Sequence, residues 1–530
     1  MQKSGKLLTT LFASASLLIC LSATPVHASA SHELPKAVTK VASTKNYRIY
    51  RDINSNGPSH VMGQTKDFKY AHLESREYAK TKKGTYWLLI INGRSTGWVN
   101  QDFFVRNKIS LAKSVNLVHN NEGEFETKDA INYVADKTGT MINPSHVKTS
   151  QKTVKENKGG DHEIEYSYGT ASAKLNIHVR SDEDEGLTSA DADLISAKNA
   201  ESTWTGSSKS SSHNWNAEHH YQPEIKKNVY TSDSSNPMTL TTRLYQPRFL
   251  SLDYGENNEI SQVGVTPEGI AVKNGDLTVS LFADPHELGG HLVSYNLNNL
   301  ASPYDAQNLT SMPWREFVDY SRNIKVSPYL KLGHGQSVSD SGKYIYVLAN
   351  NNKMKNSSQS DEILQISKKD LSLHRIWSVK VFNGDSSFPR YFHNMSIVND
   401  HTMYGLFHNG SKGTYEYWKL EREGDRWNAT EIGATDSNLV KDAPVQGFAY
   451  DQEKDEFYVG FNDYIFRVAS NGNILDMQHF DTKRELEGLS VDNGQLYTEL
   501  TQRAELLKAS FGNSTESTET VDSMSEAVNK

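Results

Sequence analysis

Lys331–Asn351, KLGHGQSVSDSGKYIYVLANN, sets a His between two glycines and then a hydrophobic run. Read alone, it resembles the approach to a catalytic histidine. Read against the rest of the C-terminal half, it is one copy of a recurring design. ISQVGVTPEGIAVKNGDLTVSLFAD begins at Ile260, FHNMSIVNDHTMYGLFHNG at Phe392, VQGFAYDQEKDEFYVGFND at Val445 and LEGLSVDNGQLYTELTQ at Leu486. Each copy carries a polar leader, a small or apolar run, a turn rich in Asp, Asn and Gly, and a second hydrophobic run. That order specifies a β-hairpin. A third strand follows most copies: HLVSYNL, EILQISK, YEYWKLE, YIFRVAS and ELLKAS.

Equivalent positions recur at intervals of roughly 40 to 75 residues, a period suited to propeller blades with loop insertions. Five units predict a five-bladed β-propeller over residues 238–510, and helical periodicity is nearly absent. TTRLYQPRFLSLDYG, from Thr241, is expected to supply the outer strand of the last blade, so that the ring leaves no exposed edge. The first strand of each blade lines the central channel. Gln262, Gln336, Asn394, Gln446 and Glu487 therefore form a polar ring, with His334 and His393 just ahead of it and Arg390 nearby. Two readings follow. The ring side chains satisfy one another and channel water, or they bind a ligand at the channel mouth, with His334, His393 and Glu487 as candidate acid–base groups. Glycoside hydrolysis needs a second carboxyl group, and the leaders supply only Glu487; Asp340 and Asp451 lie beyond a strand. No G-x-S-x-G elbow, H-E-x-x-H site or cofactor motif is present.

The remaining chain divides into segments. Residues 1–30 combine Lys3 and Lys6, the apolar run LLTTLFASASLLICLSA and small residues at Val26-His27-Ala28 or Ala28-Ser29-Ala30, which predicts a signal peptide cleaved without lipid attachment. Cys20 is the single cysteine and lies within it, so the exported chain is held by its cores rather than by disulfides. No later run reaches the length of a membrane span. Residues 45–104 alternate short hydrophobic runs with Gly and Asn turns, the pattern of a small β-barrel. Residues 105–180 end in the alternating strands HEIEYSYG and AKLNIHV, which predict a β-sandwich. Residues 181–237 read as a polar linker, and residues 511–530 as a disordered tail. HNWNAEHH, with His213, His219 and His220, lies in the linker and shows no spacing for a further ligand, so no metal site is predicted.

The net charge of −8 hides an asymmetry: Ser31–Phe104 holds twelve Lys and Arg against six Asp and Glu. A basic module on an acidic chain is the footprint of an anionic-polymer binder. Arg48, Arg51, Lys66, Lys69, Lys80, Lys82, Lys83 and Arg94 are the candidate phosphate contacts. In an exported protein that polymer is a wall glycan rather than nucleic acid.

Asn46-Tyr47, Thr85-Tyr86-Trp87, Asn92-Gly93 and Gly97-Trp98-Val99 resemble the GW module, an SH3-like domain of Gram-positive surface proteins. The resemblance implies non-covalent attachment to teichoic acid or related anionic glycans. Thr127-Lys128, Asp136–Thr140 and Glu165–Gly169 resemble bacterial immunoglobulin-like wall modules, which implies a spacer. Gln336–Asn351, Gln446-Gly447 with Tyr458-Val459, and Glu487-Gly488 with Asp492-Asn493-Gly494 resemble the helveticin J group of large bacteriocins. The expectation is an all-β, secreted, wall-associated protein with an antibacterial propeller. Its alternatives are an adhesin for host or bacterial surface glycans, and an enzyme acting on wall polysaccharide.

Overall fold

A computed structural model describes residues 31–39, 45–68, 71–181, 186, 194–195, 227–246, 266–282, 289–299, 313–349, 360–384, 389–409, 413–436, 439–440, 443–501 and 504–512. The described residues are all-β, with 62% of them in strand and 6% in helix. Five antiparallel sheets make up the C-terminal body. The first holds Thr266–Lys273, Asp276–Phe282, Gly290–Asn296 and Ile324–Val326; the second begins Val338–Asp340, Tyr344–Ala349, Asp361–Ser367, Leu373–Val379. The third runs Asn394–Asn399, Thr402–Asn409, Thr414–Glu423, Arg426–Asp436, and the fourth Gly447–Asp451, Glu456–Phe461, Tyr464–Ala469, Ile474–His479. The fifth comprises Leu486–Asp492, Gln495–Leu500 and Glu505–Phe511, followed by Met238–Tyr245 and Val229–Thr231. The inner strands touch in cyclic order, that of the first sheet meeting that of the fifth. Tight Asn-Gly turns build the hairpins: Asn274-Gly275 and Asn493-Gly494 both take positive φ at each residue, as a type I′ turn requires.

The inner strands do not pair as one sheet, so side chains bridge their backbones. Ser490 Oγ accepts from Val272 N (2.8 Å), Ser337 Oγ from Met395 N (2.7 Å) and Ser396 Oγ from Tyr450 N (3.0 Å). The hydroxyls at these positions thus satisfy backbone groups that sheet pairing leaves open.

As the sequence predicts, the strand ahead of the repeats completes the last sheet: Met238–Tyr245 pairs antiparallel with Glu505–Phe511. A buried charge cluster fastens this clasp. Glu505 accepts from Arg484, from Thr242 Oγ1 (2.5 Å) and from Asn228 Nδ2 (3.0 Å), and both Arg484 and Glu505 are almost wholly buried.

The two N-terminal modules differ from free-standing units. Residues 31–100 form a six-stranded sheet in the order Ser31–Thr39, Leu73–Thr81, Gly84–Ile91, Arg94–Asn100, Arg48–Asn54, Gly57–Gln64, so the sheet reaches back ahead of Lys45. Gly97 is required there because a Cβ would sit 2.5 Å from Tyr50 O, and Trp98 is fully buried. The helix Trp314–Arg322, inserted in the first sheet of the body, docks on this module. Trp314 Nε1 donates to Met62 O (3.2 Å), its ring meets Phe68 (6.1 Å), and Arg322 pairs with Asp67 (3.2 Å). Ile49, Leu89 and Phe104 of the module share one core with Val279, Leu281 and Phe317 of the body.

Residues 105–180, expected as a spacer, share a sheet with the body. Ser114–Leu117 lies parallel to both Ala171–Val179 and Leu373–Val379, so the module's hairpin and the second sheet of the body form one eight-stranded sheet. The physical reason is that Leu373–Val379 would otherwise be an exposed edge, and pairing covers it. Asn132 adds to the seal, donating to Leu373 O (3.1 Å) and accepting from Leu373 N (2.5 Å). Val115, Ile164 and Ile177 pack in one core with Val338, Ile345 and Ile376. Within the predicted linker, Leu194–Ile195 pairs with Ala434-Thr435 and Val229–Thr231 with Thr239–Thr241. The His213–His220 segment and residues 513–530 lie outside the described residues.

Two outcomes follow. Glu505→Ala strips Arg484 of its buried counter-charge and is expected to cost about 3–5 kcal/mol in urea unfolding; a loss under 1 kcal/mol would contradict the clasp. Glu156 is buried in the middle module, and desolvation, with Glu362 alongside, raises its pKa from 4.5 to about 8. Its stabilising proton is held fully below 4.5 and lost as pH rises through 8. Glu156→Gln is therefore expected to raise Tm relative to the parent most at pH 8–9 and least near pH 5. A pH-independent difference would contradict this burial.

Candidate functional site

The leaders of four sheets lie at one end of the inner strands, with their side chains at least half buried: Gln336, Asn394, Gln446 and Glu487. Gln262 lies outside the described residues, and the first sheet presents Glu268 instead. A one-residue irregularity between Pro267 and Gly269 and a wider one between Leu486 and Leu489 interrupt the ladders at Glu268 and Glu487. Bulges of this kind redirect a side chain out of the regular alternation. The glycine after each of these leaders admits the neighbouring sheet. A Cβ on Gly269 would lie 2.5 Å from Gln336 O, and one on Gly488 would lie 3.0 Å from Ile270 N.

The ring is a connected network. Gln336 Nε2 donates to Gln446 Oε1, so an amide bridge from the second to the fourth sheet spans the position of Asn394 in the third. Gln446 Nε2 donates in turn to Glu485 Oε1 (3.2 Å) and Glu487 Oε1 (3.3 Å). Burial, with Glu268 and Glu485 alongside, pushes the Glu487 carboxyl well above the usual carboxylate range. His334 is exposed at the rim, with Nε2 3.6 Å from Glu268 Oε2 and its ring 5.5 Å from that of Phe282. The structure thus brings His334 together with Gln336, Gln446 and Glu487.

Other expected site residues are placed elsewhere. Arg390 is buried and paired with Glu416 (2.8 Å) of the third sheet, because a guanidinium at that depth needs a carboxylate partner. His393 is exposed, and its ring contacts are with Tyr391 (6.5 Å) and Phe407 (6.3 Å). Desolvation by that crowding, with His408 nearby, lowers its pKa. Asp340 and Asp451 line a separate cavity of about 310 Å³ at the opposite end, together with Lys273, Ser396 and Ser490. Asp340 there is held by Lys368 (2.6 Å) and Asp451 by Lys454 (2.9 Å). Among the described residues, no group of three or more His, Cys, Asp or Glu is arranged to hold a metal.

The cations of the N-terminal module split into groups. Lys80, Lys82 and Lys83 are exposed at the Thr81–Gly84 hairpin, which touches the neighbouring turn through Lys82 N and Ser55 O (3.0 Å). Arg48 and Lys66 are exposed near the Gln64 end, and Arg51 beside Asp52 (3.2 Å). Arg94 sits apart from these: its guanidinium stacks 4.8 Å over Phe317, half-buried against the body, where desolvation lowers its pKa. Lys69 lies outside the described residues.

Glu268 is the residue that sequence reading missed. Pro267-Glu268-Gly269-Ile270 mirrors Leu486-Glu487-Gly488-Leu489, and Asn-Gly follows at the same distance in both. That register, rather than the one through Gln262, identifies the leader.

Residues 34–104 match the family model described as "GW (Gly-Tryp) dipeptide domain". No curated protein sequence matches the chain. Solved structures with some likeness include glutaminyl cyclase of Myxococcus xanthus (11% identity, 47% of this chain, 91% of that one, TM-score 0.27). Two others are the Cps50 (Swd1) β-propeller domain of Myceliophteria thermophila (11%, 43% and 59%, 0.23) and virginiamycin B lyase of Staphylococcus aureus (14%, 44% and 63%, 0.23). At these identities and TM-scores they carry no argument about this chain's chemistry. No helix among the described residues is long and apolar enough to cross a membrane.

One consequence of the ring geometry is direct. Gly269→Ala places a methyl against the Gln336 carbonyl and is expected to cost about 1–3 kcal/mol in urea unfolding. An unchanged midpoint would contradict the close approach of the first and second sheets.

Proposed function

We propose that this is an exported cell-wall-associated protein. In this reading an SH3-like GW module attaches non-covalently to anionic wall polymer, teichoic acid being the expected class. An immunoglobulin-like module braces that anchor, and a five-bladed β-propeller serves as a recognition head. The observation that carries the reading is the GW match over residues 34–104. The exposed Lys80, Lys82 and Lys83 at one hairpin tip support it, since clustered ammonium groups bind polyanions without dedicated pockets.

The head is read as a binding device, which makes adhesion the leading role. The antibacterial role rests on the helveticin J resemblance alone and takes second place. Catalysis at the ring would require Glu268 and Glu487 to act on a bound substrate.

Sedimentation with purified Gram-positive walls tests the attachment. Binding is expected to fall severalfold in about 1 M salt, where the Debye length shrinks to about 3 Å. A comparable loss is expected after removal of teichoic acid, and for Lys80→Glu/Lys82→Glu/Lys83→Glu. Retention indifferent to all three treatments would overturn the reading.

A further inference from the structure

We propose that the cavity at the turn end of the inner strands, opposite the polar ring, is a binding site for a neutral saccharide, held by Lys273, Gln452, Glu453 and Asn493. The inference rests on the reading of the body as a recognition head, and names the class of ligand and the end at which that head takes it.

The first observation is convergence. Every sheet of the body lines this cavity of about 310 Å³: Lys273 comes from the first, Asp340 from the second, Val398 from the third, Glu453 from the fourth and Asn493 from the fifth. Small-molecule sites span about 300–1,000 Å³, so a cavity at the lower end of that range suits one or two sugar rings. The second observation is the division of the lining into committed and open groups. Ser490 and Ser396 accept from Val272 N and Tyr450 N, and Asp340 and Asp451 are paired with Lys368 and Lys454. At the rim, by contrast, the side chains of Lys273, Gln452, Glu453 and Asn493 have no hydrogen-bond or ion-pair partner among the described residues.

Bonds across and within the turns hold these open groups together. Asp492 Oδ2 accepts from Asn274 N (2.8 Å), which ties the turns of the fifth and first sheets and brings their neighbours Asn493 and Lys273 to one cavity. Asp451 Oδ1 accepts from Glu453 N (3.0 Å), and the Glu453 carboxylate reaches over the fifth-sheet turn, where a Cβ on Gly494 would lie 2.6 Å from its Oε2. The third observation is chemistry. A sugar hydroxyl donates one hydrogen bond and accepts others, so it needs both kinds of partner at once. Lys273 offers donors, the Glu453 carboxylate offers acceptors, and the amides of Gln452 and Asn493 offer both. Neither sign of charge prevails: Lys273 balances Glu453 at the rim, as Lys368 and Lys454 balance Asp340 and Asp451. A neutral ligand is thereby favoured over an ion. Val398 and Val491, half-buried in the same lining, supply apolar surface for the C–H face of a sugar ring.

The test titrates the full chain, in solution and without walls, against four neutral disaccharides: lactose, maltose, cellobiose and N,N′-diacetylchitobiose. A glucosamine disaccharide and a galacturonic acid disaccharide serve as the charged controls, and binding is followed by saturation-transfer NMR. At least one neutral disaccharide is expected to bind with a Kd of about 1 mM or tighter, and both charged controls about tenfold more weakly. Glu453→Ala and Asn493→Gly are each expected to lower the affinity about tenfold, the loss of a hydrogen-bonding partner for the sugar. Glu453 is exposed, and glycine keeps the positive φ of Asn493, so both variants are expected to retain the parent urea midpoint. Silence from all four neutral disaccharides, binding of a charged control as tight as theirs, or affinity untouched by both variants would each overturn the proposal. Binding of a charged control alone would overturn the ligand class and leave the recognition head standing, while wall sedimentation reports attachment separately.

Discussion

A β-sheet that stops leaves a row of N–H and C=O groups without partners, and covering those edges organises this whole molecule. The fifth sheet of the body is covered by a strand drawn from ahead of the repeats, Met238–Tyr245. The second is covered by Ser114–Leu117, which belongs to a different module, and the third by Leu194–Ile195. Each cover comes from sequence N-terminal to the repeats. The N-terminal half is thereby tied to the body at three separate sheets.

That arrangement has a mechanical consequence for function. A wall anchor on a flexible tether would leave the head free to reorient. Here the helix Trp314–Arg322 joins the core of the N-terminal module to the first sheet, and Ser114–Leu117 joins the middle module to the second. The basic hairpin at Lys80–Lys83 and the carboxyl ring at Glu268 and Glu487 are thus carried on connected, packed elements. Arg94 takes part in this docking: its guanidinium stacks on Phe317 of the helix.

Much of this was legible in the sequence because local patterns specify local structure. The Asp/Asn/Gly turns between alternating runs gave the hairpins, the spacing of Gln336, Asn394, Gln446 and Glu487 gave the repeat, and the strand near Thr241 was expected at the last sheet. Gly97-Trp98 carried the resemblance to the GW module. What sequence reading lost was non-local. The parallel pairing of Ser114–Leu117 with Arg375–Trp377 joins segments far apart in the chain, and no periodicity encodes it. Arg390, expected near the ring, and Arg94, expected among the phosphate contacts, meet partners that no local pattern encodes: Glu416 and Phe317 come from other strands or another module. Glu268 was hidden by a register choice: a ladder irregularity at Pro267–Gly269 offsets the first repeat, whereas Glu-Gly with the later Asn-Gly marks its true phase.

Hydrogen exchange at Ser114–Leu117 in the intact protein tests most directly whether modules and body share one sheet. If they do, these amides exchange as slowly as those of Leu373–Val379 and Ala171–Val179 on either side, because strands flanked on both edges open only with the surrounding unit. Exchange at the rate of an exposed loop, with slow exchange retained in Leu373–Val379, would contradict the shared sheet and leave the middle module as an independent spacer.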